Sequence, residues 1–153
     1  MIFVRKLKIY MDNCCFNRPY DDQTQPRILF ESTSKLYIQE LISNKVIDFV
    51  WSFILEYENE MNPFAERKNT IIEFKRYATS TVLSNAEIVK KAIDIKKTGI
   101  KTKDALHLAC ALSANCEYFL TVDDKVLKYS CSGMQITDPV DFTNKIVKGG
   151  FET

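Results

Sequence analysis

The spacing of apolar residues changes repeatedly along this chain, and each change marks an element. Leu7 to Met11 (LKIYM) is a short apolar run of the kind a buried strand makes, and it stops at Asp12. Asn13 to Gln25 is polar and turn-rich and is expected to be a loop. From Pro26 to Ser43, Ile28, Leu29, Leu36, Ile38, Leu41 and Ile42 fall at a rough helical spacing, with Pro26 suited to the first turn. Val46 to Trp51 is β-rich and follows the turn signal Ser43–Asn44, which predicts a second strand. Ser52 then stands as the N-cap of a helix that runs through Glu60 and ends before Pro63. Another amphipathic helix is expected over 64–78.

Thr81 to Leu83 predicts a short strand. Ser84 would cap a helix from Asn85 to Lys97, closed by Gly99. Thr102 to Ser113 is apolar on nearly all sides, as a helix in the centre of a domain must be. Tyr118 to Val122 reads as a strand, Asp123 to Tyr129 as a turn and short helix, Met134 to Thr137 as a last strand, and Pro139 as the start of a terminal helix. Strands separated by helices predict an α/β fold. The expected architecture is a single three-layer α/β/α domain over 1–153, with a central, mostly parallel sheet covered on both faces.

Composition narrows the picture. The length of 153 residues suits one domain, and a 46% hydrophobic content is enough for a core without staples. A net charge of +1 exerts no global pull on nucleic acid, so any basic surface must be a local patch. The five cysteines have no regular spacing, and the adjacent Cys14 and Cys15 make a poor disulfide pair; reduced thiols are expected. MIFVRKLKIY is too short and interrupted for a signal peptide. The longest apolar stretch, Phe49 to Leu55, contains Ser52 and cannot span a bilayer. The expectation is a cytoplasmic protein without a membrane partner.

The carboxylates carry the chemistry. Asp12 follows the first strand, Glu56 lies early in the helix after the second, Asp104 opens the most buried helix, and Asp123 and Asp124 follow strand YFLTV. In a parallel sheet these positions meet at one rim, where sites form. Clustered carboxylates repel one another unless a cation or protons neutralise them. Oxygen ligands without His or Cys point to Mg²⁺ or Mn²⁺ rather than Zn²⁺. Each acid also has a plainer reading. Asp12 could start an Asx-turn, Glu56 could be solvated, Asp104 could answer a helix dipole, and Asp123 could cap a helix. Their joint placement after successive strands favours the cluster.

The motifs IYMDN, SFILE, KDALHLACA and LTVDD, in this order, resemble the PIN domain family over nearly the whole length. The family is similar to 5′-nuclease-type folds and contains metal-dependent ribonucleases, many of them toxins of bacterial toxin–antitoxin pairs. The resemblance implies catalytic positions at Asp12, Glu56, Asp104 and Asp123. Asp12, Asp104 and Asp123 would hold the metal directly or through water. Glu56 would complete the set or orient the attacking water, and Asn13, Thr121 and Asp124 stand beside them. It further implies hydrolysis of single-stranded RNA, an antitoxin protein as a partner, and a homodimer.

RNA binding needs cations near this cleft. Lys90, Lys91, Lys96, Lys97, Lys101 and Lys103 crowd the approach to Asp104, and Lys97, Lys101 and Lys103 are the expected phosphate contacts. The plainer reading is a solvated helix face. Arg18 would add a cation, with Phe16 and Tyr20 as stacking faces. His107 reads as a satisfied core histidine rather than a general base. Three other classes compete. The first is a catalytically silent PIN-like RNA-binding or protein-interaction module. The second is a dehalogenase-type phosphatase, which wants a second Asp where this chain has Cys14. The third is a thiol enzyme, for which Cys14 and Cys15 have no neighbouring base.

Overall fold

In a computed structural model of the chain, residues 6–148 are described; the first five and last five residues of the expected domain lie outside the described residues. β1 (Lys8–Met11) is the middle strand, because Ile9, Tyr10 and Met11 are wholly buried on both faces of the sheet. β2 (Asp48–Ser52) flanks it on one side in parallel register, Ile9 opposite Phe49. β4 (Tyr118–Leu120) flanks it on the other, Met11 opposite Leu120. β3 (Ser80–Val82) and β5 (Gln135–Thr137) complete a five-stranded, all-parallel sheet in the order β3-β2-β1-β4-β5.

The chain leaves β1 through α2 (Pro26–Ser43) to reach β2, then through α3 (Phe53–Glu60) and α4 (Ala65–Phe74) to reach β3. It returns across the sheet through α5 (Ala86–Lys96) and α6 (Thr102–Ser113) to place β4 beside β1. The strand order therefore reverses between β1 and β4, and the segments after these two strands diverge there and leave a crevice. Both faces of the sheet are covered, as the three-layer expectation required.

Strong punctuation set the long helices where the sequence placed them. Pro26 begins α2 at its first turn, and Ser52 Oγ accepts the Leu55 amide at 3.2 Å to start α3. Gly99 takes φ +106° just past α5, a conformation in which a side chain would be strained. Three expectations are corrected. α5 is capped by Asn85, whose Oδ1 accepts the Ile88 amide at 2.9 Å, and not by Ser84. The helix expected over 64–78 ends at Phe74 and finishes in a 3₁₀ turn, Lys75–Tyr77.

The third correction is the largest. The expected 13–25 loop holds a five-residue helix, α1 (Asn13–Asn17), and a 3₁₀ turn, Arg18–Tyr20. Asp12 caps α1 through Oδ1, which accepts the Cys15 amide at 3.2 Å. α1 is anchored from below by Cys15 and Phe16, both buried. The Phe16 ring packs 5.8–5.9 Å from Phe49, Trp51 and Phe74, so it is core and not a stacking face for bases. α7 (Asp124–Leu127) and α8 (Pro139–Lys148) close the fold. No helix among the described residues is long and apolar enough to cross a membrane.

Candidate active site

The crevice after β1 and β4 is a cleft of about 240 Å³, lined by Asp12, Asn13, Cys14, Asn17, Glu58, Asp104, His107 and Asp123. Each side chain arrives by a local rule. Asp12 sits on the end of the central strand and turns the chain into α1. Its Oδ1 accepts the Cys15 amide and, at 2.9 Å, the Cys14 thiol. Asp123 ends the β4 segment and caps α7, accepting from the Lys125 amide at 2.9 Å and the Val126 amide at 3.3 Å. Asp104 lies in the first turn of α6, where a carboxylate suits the helix dipole. Thr121, wholly buried between them, accepts the Asp123 amide on its hydroxyl at 3.1 Å.

The cleft is electrostatically uncompensated. Burial pushes the Asp12 carboxyl well above its usual range, and the neighbouring Cys14 raises it further. Burial also raises Asp104, and the neighbouring Asp123 charge raises it further. No Lys or Arg forms an ion pair with Asp12, Asp104 or Asp123 among the described residues.

The fourth carboxylate is not the expected one. Glu56 points away from the cleft: Trp51 Nε1 donates to it at 2.6 Å and Lys75 Nζ lies 3.2 Å away. Glu58, two residues on and so about 200° further round α3, faces the cleft and meets His107 Nε2. Sequence spacing put both in α3 and could not choose between their faces. The one signal available was His107, one turn after Asp104, which marks the wall that a carboxylate from α3 must meet. Cys14 and Asn17 were missed as cleft residues because α1 was expected to be a loop.

The remaining expected residues scatter. Asp124 is exposed and pairs with Arg27 at 2.7 Å, while Asp123 faces the cleft. Arg18 is committed to Glu31 at 2.8 Å and Asp21 at 3.2 Å. Lys101 precedes α6 directly, and its charge reaches Asp104. Lys103 Nζ lies 5.8 Å over the Tyr57 ring, and Lys97 pairs loosely with Asp94 at 3.8 Å. Lys90 and Lys91 line a separate hollow with Glu87, Asp94 and Tyr129. Tyr20 faces Arg67, whose guanidinium lies 4.9 Å over its ring. All five cysteines are free thiols.

The donor chemistry fits a hard divalent cation. Four carboxylates line one partly enclosed cleft, two are held above their usual range by burial, and no imidazole nitrogen is left over as a ligand. Among the described residues, however, no three His, Cys, Asp or Glu side chains already converge on one point as a finished cage.

The comparisons agree with this fold. A crystal structure of VapBC2 from Rickettsia felis bound to a DNA fragment from their promoter has the same fold, with a TM-score of 0.56 and 13% identity over 86% of this chain and 98% of that one. No curated protein sequence matches. The PIN domain profile matches residues 9–130, a span that begins on β1 and contains Asp12, Glu58, Asp104 and Asp123. With the all-parallel sheet and the rim of carboxylates in place, the chain belongs to the PIN domain family.

Proposed function

We propose that this protein is a Mg²⁺- or Mn²⁺-dependent endoribonuclease that hydrolyses phosphodiester bonds of single-stranded RNA, and that it serves as the toxin of a toxin–antitoxin pair. The observation that carries this reading is the convergence of Asp12, Glu58, Asp104 and Asp123 on one cleft at the strand-order reversal, with no Lys or Arg paired to the three aspartates among the described residues. Asp12, Asp104 and Asp123 would hold the ion. When bound it would neutralise phosphate oxygens and lower the pKa of a water.

The chain's own groups supply the rest. Asp12 is mounted on a rigid strand end, which fixes its direction better than a loop would. The Thr121 hydroxyl braces both Asp12 and the Asp123 turn. Glu58 lines the same cleft as Asp12 and would orient a water for attack, a role assigned from the sequence to Glu56. Lys101 and Lys103 bring positive charge to the mouth beside Asp104 and offset repulsion of the RNA backbone. A partner protein has an apolar face available on α2, where Leu29, Phe30, Leu36 and Tyr37 are exposed. Antitoxin binding, a homodimer and a cytoplasmic location belong to this proposal.

The test is cleavage of an end-labelled single-stranded RNA with Mn²⁺, with Mg²⁺ and with EDTA. Cleavage is expected only with metal, and Asp104→Asn should abolish it. Metal-independent cutting, or full activity in Asp104→Asn, overturns the assignment. A second reading, a silent RNA-binding or protein-interaction module, draws on the absence of a finished cage among the described residues. RNA binding without cleavage in any metal would establish it.

A further inference from the structure

His107 is buried at 1% exposure on α6, and its two ring nitrogens lead in opposite directions. Nε2 meets the Glu58 carboxylate at the cleft wall. Nδ1 meets Tyr10 Oη at 2.5 Å, in the middle of the sheet. Tyr10 Oη lies 2.6 Å from Ser52 Oγ, and that oxygen accepts the Leu55 amide at 3.2 Å. Four elements are therefore joined by one line of hydrogen bonds: α3, the end of β2, β1 and α6. The line starts at a backbone amide near the beginning of α3 and comes back to a carboxylate further along the same helix.

The hydrogens along this line fall into one order. In the order that satisfies every group, Glu58 accepts from Nε2–H and Nδ1 accepts the phenol hydrogen of Tyr10. The Tyr10 oxygen accepts from the Ser52 hydroxyl, whose oxygen accepts from Leu55. In the opposite order Ser52 Oγ would accept twice, and its own hydrogen would be left to the Cys110 sulfur, a weaker acceptor than oxygen. Tyr10 is held in place for this task by Phe119, whose ring stacks on it at 5.3 Å and 9°.

We propose that His107 is a positioning residue for the nuclease reaction, held by the Ser52–Tyr10 hydroxyl pair and fixing the Glu58 carboxylate toward the cleft. Glu58 needs such an anchor, because a glutamate on a short surface helix has three rotatable bonds and solvent beside it. The His107 contact occupies Oε1, which locks the carboxylate plane and leaves the second oxygen for the cleft. The inference rests on the nuclease reading for its consequence, but not for its geometry.

The chain has one histidine, so imidazole resonances report on His107 alone. Long-range ¹H–¹⁵N spectra of the metal-free protein are expected to show a hydrogen on Nε2. A ring with its hydrogen on Nδ1 and none on Nε2 overturns the order of hydrogens. His107→Leu is then compared with His107→Gln, which keeps an N–H donor in the place of Nε2. His107→Leu should weaken Mn²⁺ binding, read by electron paramagnetic resonance, by about 10–100-fold. It should also lower kcat on single-stranded RNA with little change in KM, and His107→Gln should recover most of both. Equal Mn²⁺ affinity in wild type and His107→Leu overturns the proposal, as does failure of His107→Gln to recover anything.

Should His107→Leu not fold, Tyr10→Phe removes only the hydroxyl and keeps the stacked ring. It should mix the imidazole tautomers and weaken Mn²⁺ several-fold; no change in either overturns the proposal. If wild type binds Mn²⁺ without cutting RNA, the nuclease reading falls while the Mn²⁺ comparison still judges the positioning role. If wild type binds no Mn²⁺, both fall.

Discussion

Asp12 and Glu31 are buried to the same depth, each 3% exposed, yet the protein answers them in opposite ways. Glu31, on α2, is gripped by Arg18 at 2.8 Å and by Arg27 at 3.4 Å, and Arg27 reaches on to Asp124 at 2.7 Å. Asp12 receives a thiol, a backbone amide and a hydroxyl, and no Lys or Arg among the described residues. Both carboxylates lose hydration on folding, and at Glu31 the loss is offset inside the molecule. The sequence evidently can supply arginine to a buried acid where the acid serves structure. On the proposed function, leaving Asp12 and Asp104 without such a partner keeps the cleft open to a cation from outside. The arginine network lies just behind this cleft and ties α2 to the turn that carries Asp123.

The largest expected difference comes from neutralising each acid in turn. Glu31→Gln leaves Arg18 without its buried partner and should cost about 3 kcal/mol, at the low end for a broken buried pair because Arg27 is half-exposed. For a domain this size that lowers Tm by about 6–12 °C. Asp12→Asn keeps a cap oxygen for the Cys15 amide and removes a buried charge, so in EDTA it should melt at or above wild type. Its RNA cleavage should nevertheless fall by about 10²–10³-fold, the scale of losing a preorganised electrostatic group. Melting curves in EDTA and a cleavage assay on the same samples check both. If Asp12→Asn melts well below wild type and Glu31→Gln does not, the contrast is reversed and Asp12 is a structural turn residue.

Metal should act on one region only. At a hundred times its dissociation constant, Mn²⁺ is expected to stabilise wild type by about 2.7 kcal/mol, which raises Tm by roughly 5–11 °C. Glu31→Gln should keep this increment from its lower baseline, whereas Asp12→Asn should lose most of it. A full Mn²⁺ response in Asp12→Asn would sever the acid from the metal. Glu56 and Glu58 sharpen the same contrast at smaller amplitude. Glu58→Gln should weaken Mn²⁺ binding. Glu56→Gln should leave it intact, cost at most about 1 kcal/mol as a part-exposed pair, and shift the fluorescence of Trp51, the sole tryptophan, whose indole N–H then meets a neutral amide in place of a carboxylate. A Mn²⁺ defect in Glu56→Gln with none in Glu58→Gln would restore the sequence-based choice.

How much of this was legible beforehand differs by element for physical reasons. α2, α3 and α6 could be bounded because Pro26, Ser52 and the Ala- and Leu-rich stretch from Ala105 to Leu112 act over several turns. α1 could not, since five residues make less than one and a half turns and show no period. Its signals were the cap at Asp12 and the apolar pair Cys15–Phe16, which read as loop chemistry until Phe16 is seen among Phe49, Trp51 and Phe74. Three of the four expected acids line one cleft because two strand ends and the start of α6 dictate their place. Glu56 does not, because position on a helix fixes a face only once the neighbour is known. Arg18 was expected to meet phosphate, but its partner Glu31 is thirteen residues away on another helix, a pairing that no local pattern reveals.

The smallest effect separates the two regions by sign. In metal-free protein, burial holds Asp12 and Asp104 above the ordinary carboxylate range, so the folded state binds their protons more tightly than the unfolded state does. That contribution is fully present below the ordinary range and is lost as pH rises through the raised folded values. Acidifying from neutral pH in EDTA should therefore first raise Tm. Asp124, on the arginine side, is held below its usual range by the hydrogen bond and charge of Arg27, and its contribution is lost only as pH falls through that lowered value. Tm in EDTA is expected to pass through a mildly acidic maximum, about 2–4 °C above its neutral value if the cleft contributes 1 kcal/mol. Asp12→Asn should flatten the rise toward that maximum. Saturating Mn²⁺ should remove the rise, because bound metal competes with the protons. Scanning calorimetry from neutral to acidic pH, with EDTA and with Mn²⁺, makes the measurement. A Tm that only falls on acidification in EDTA, alike in wild type and Asp12→Asn, would mean that the cleft carboxylates are compensated after all, and the distinction between the two regions would collapse.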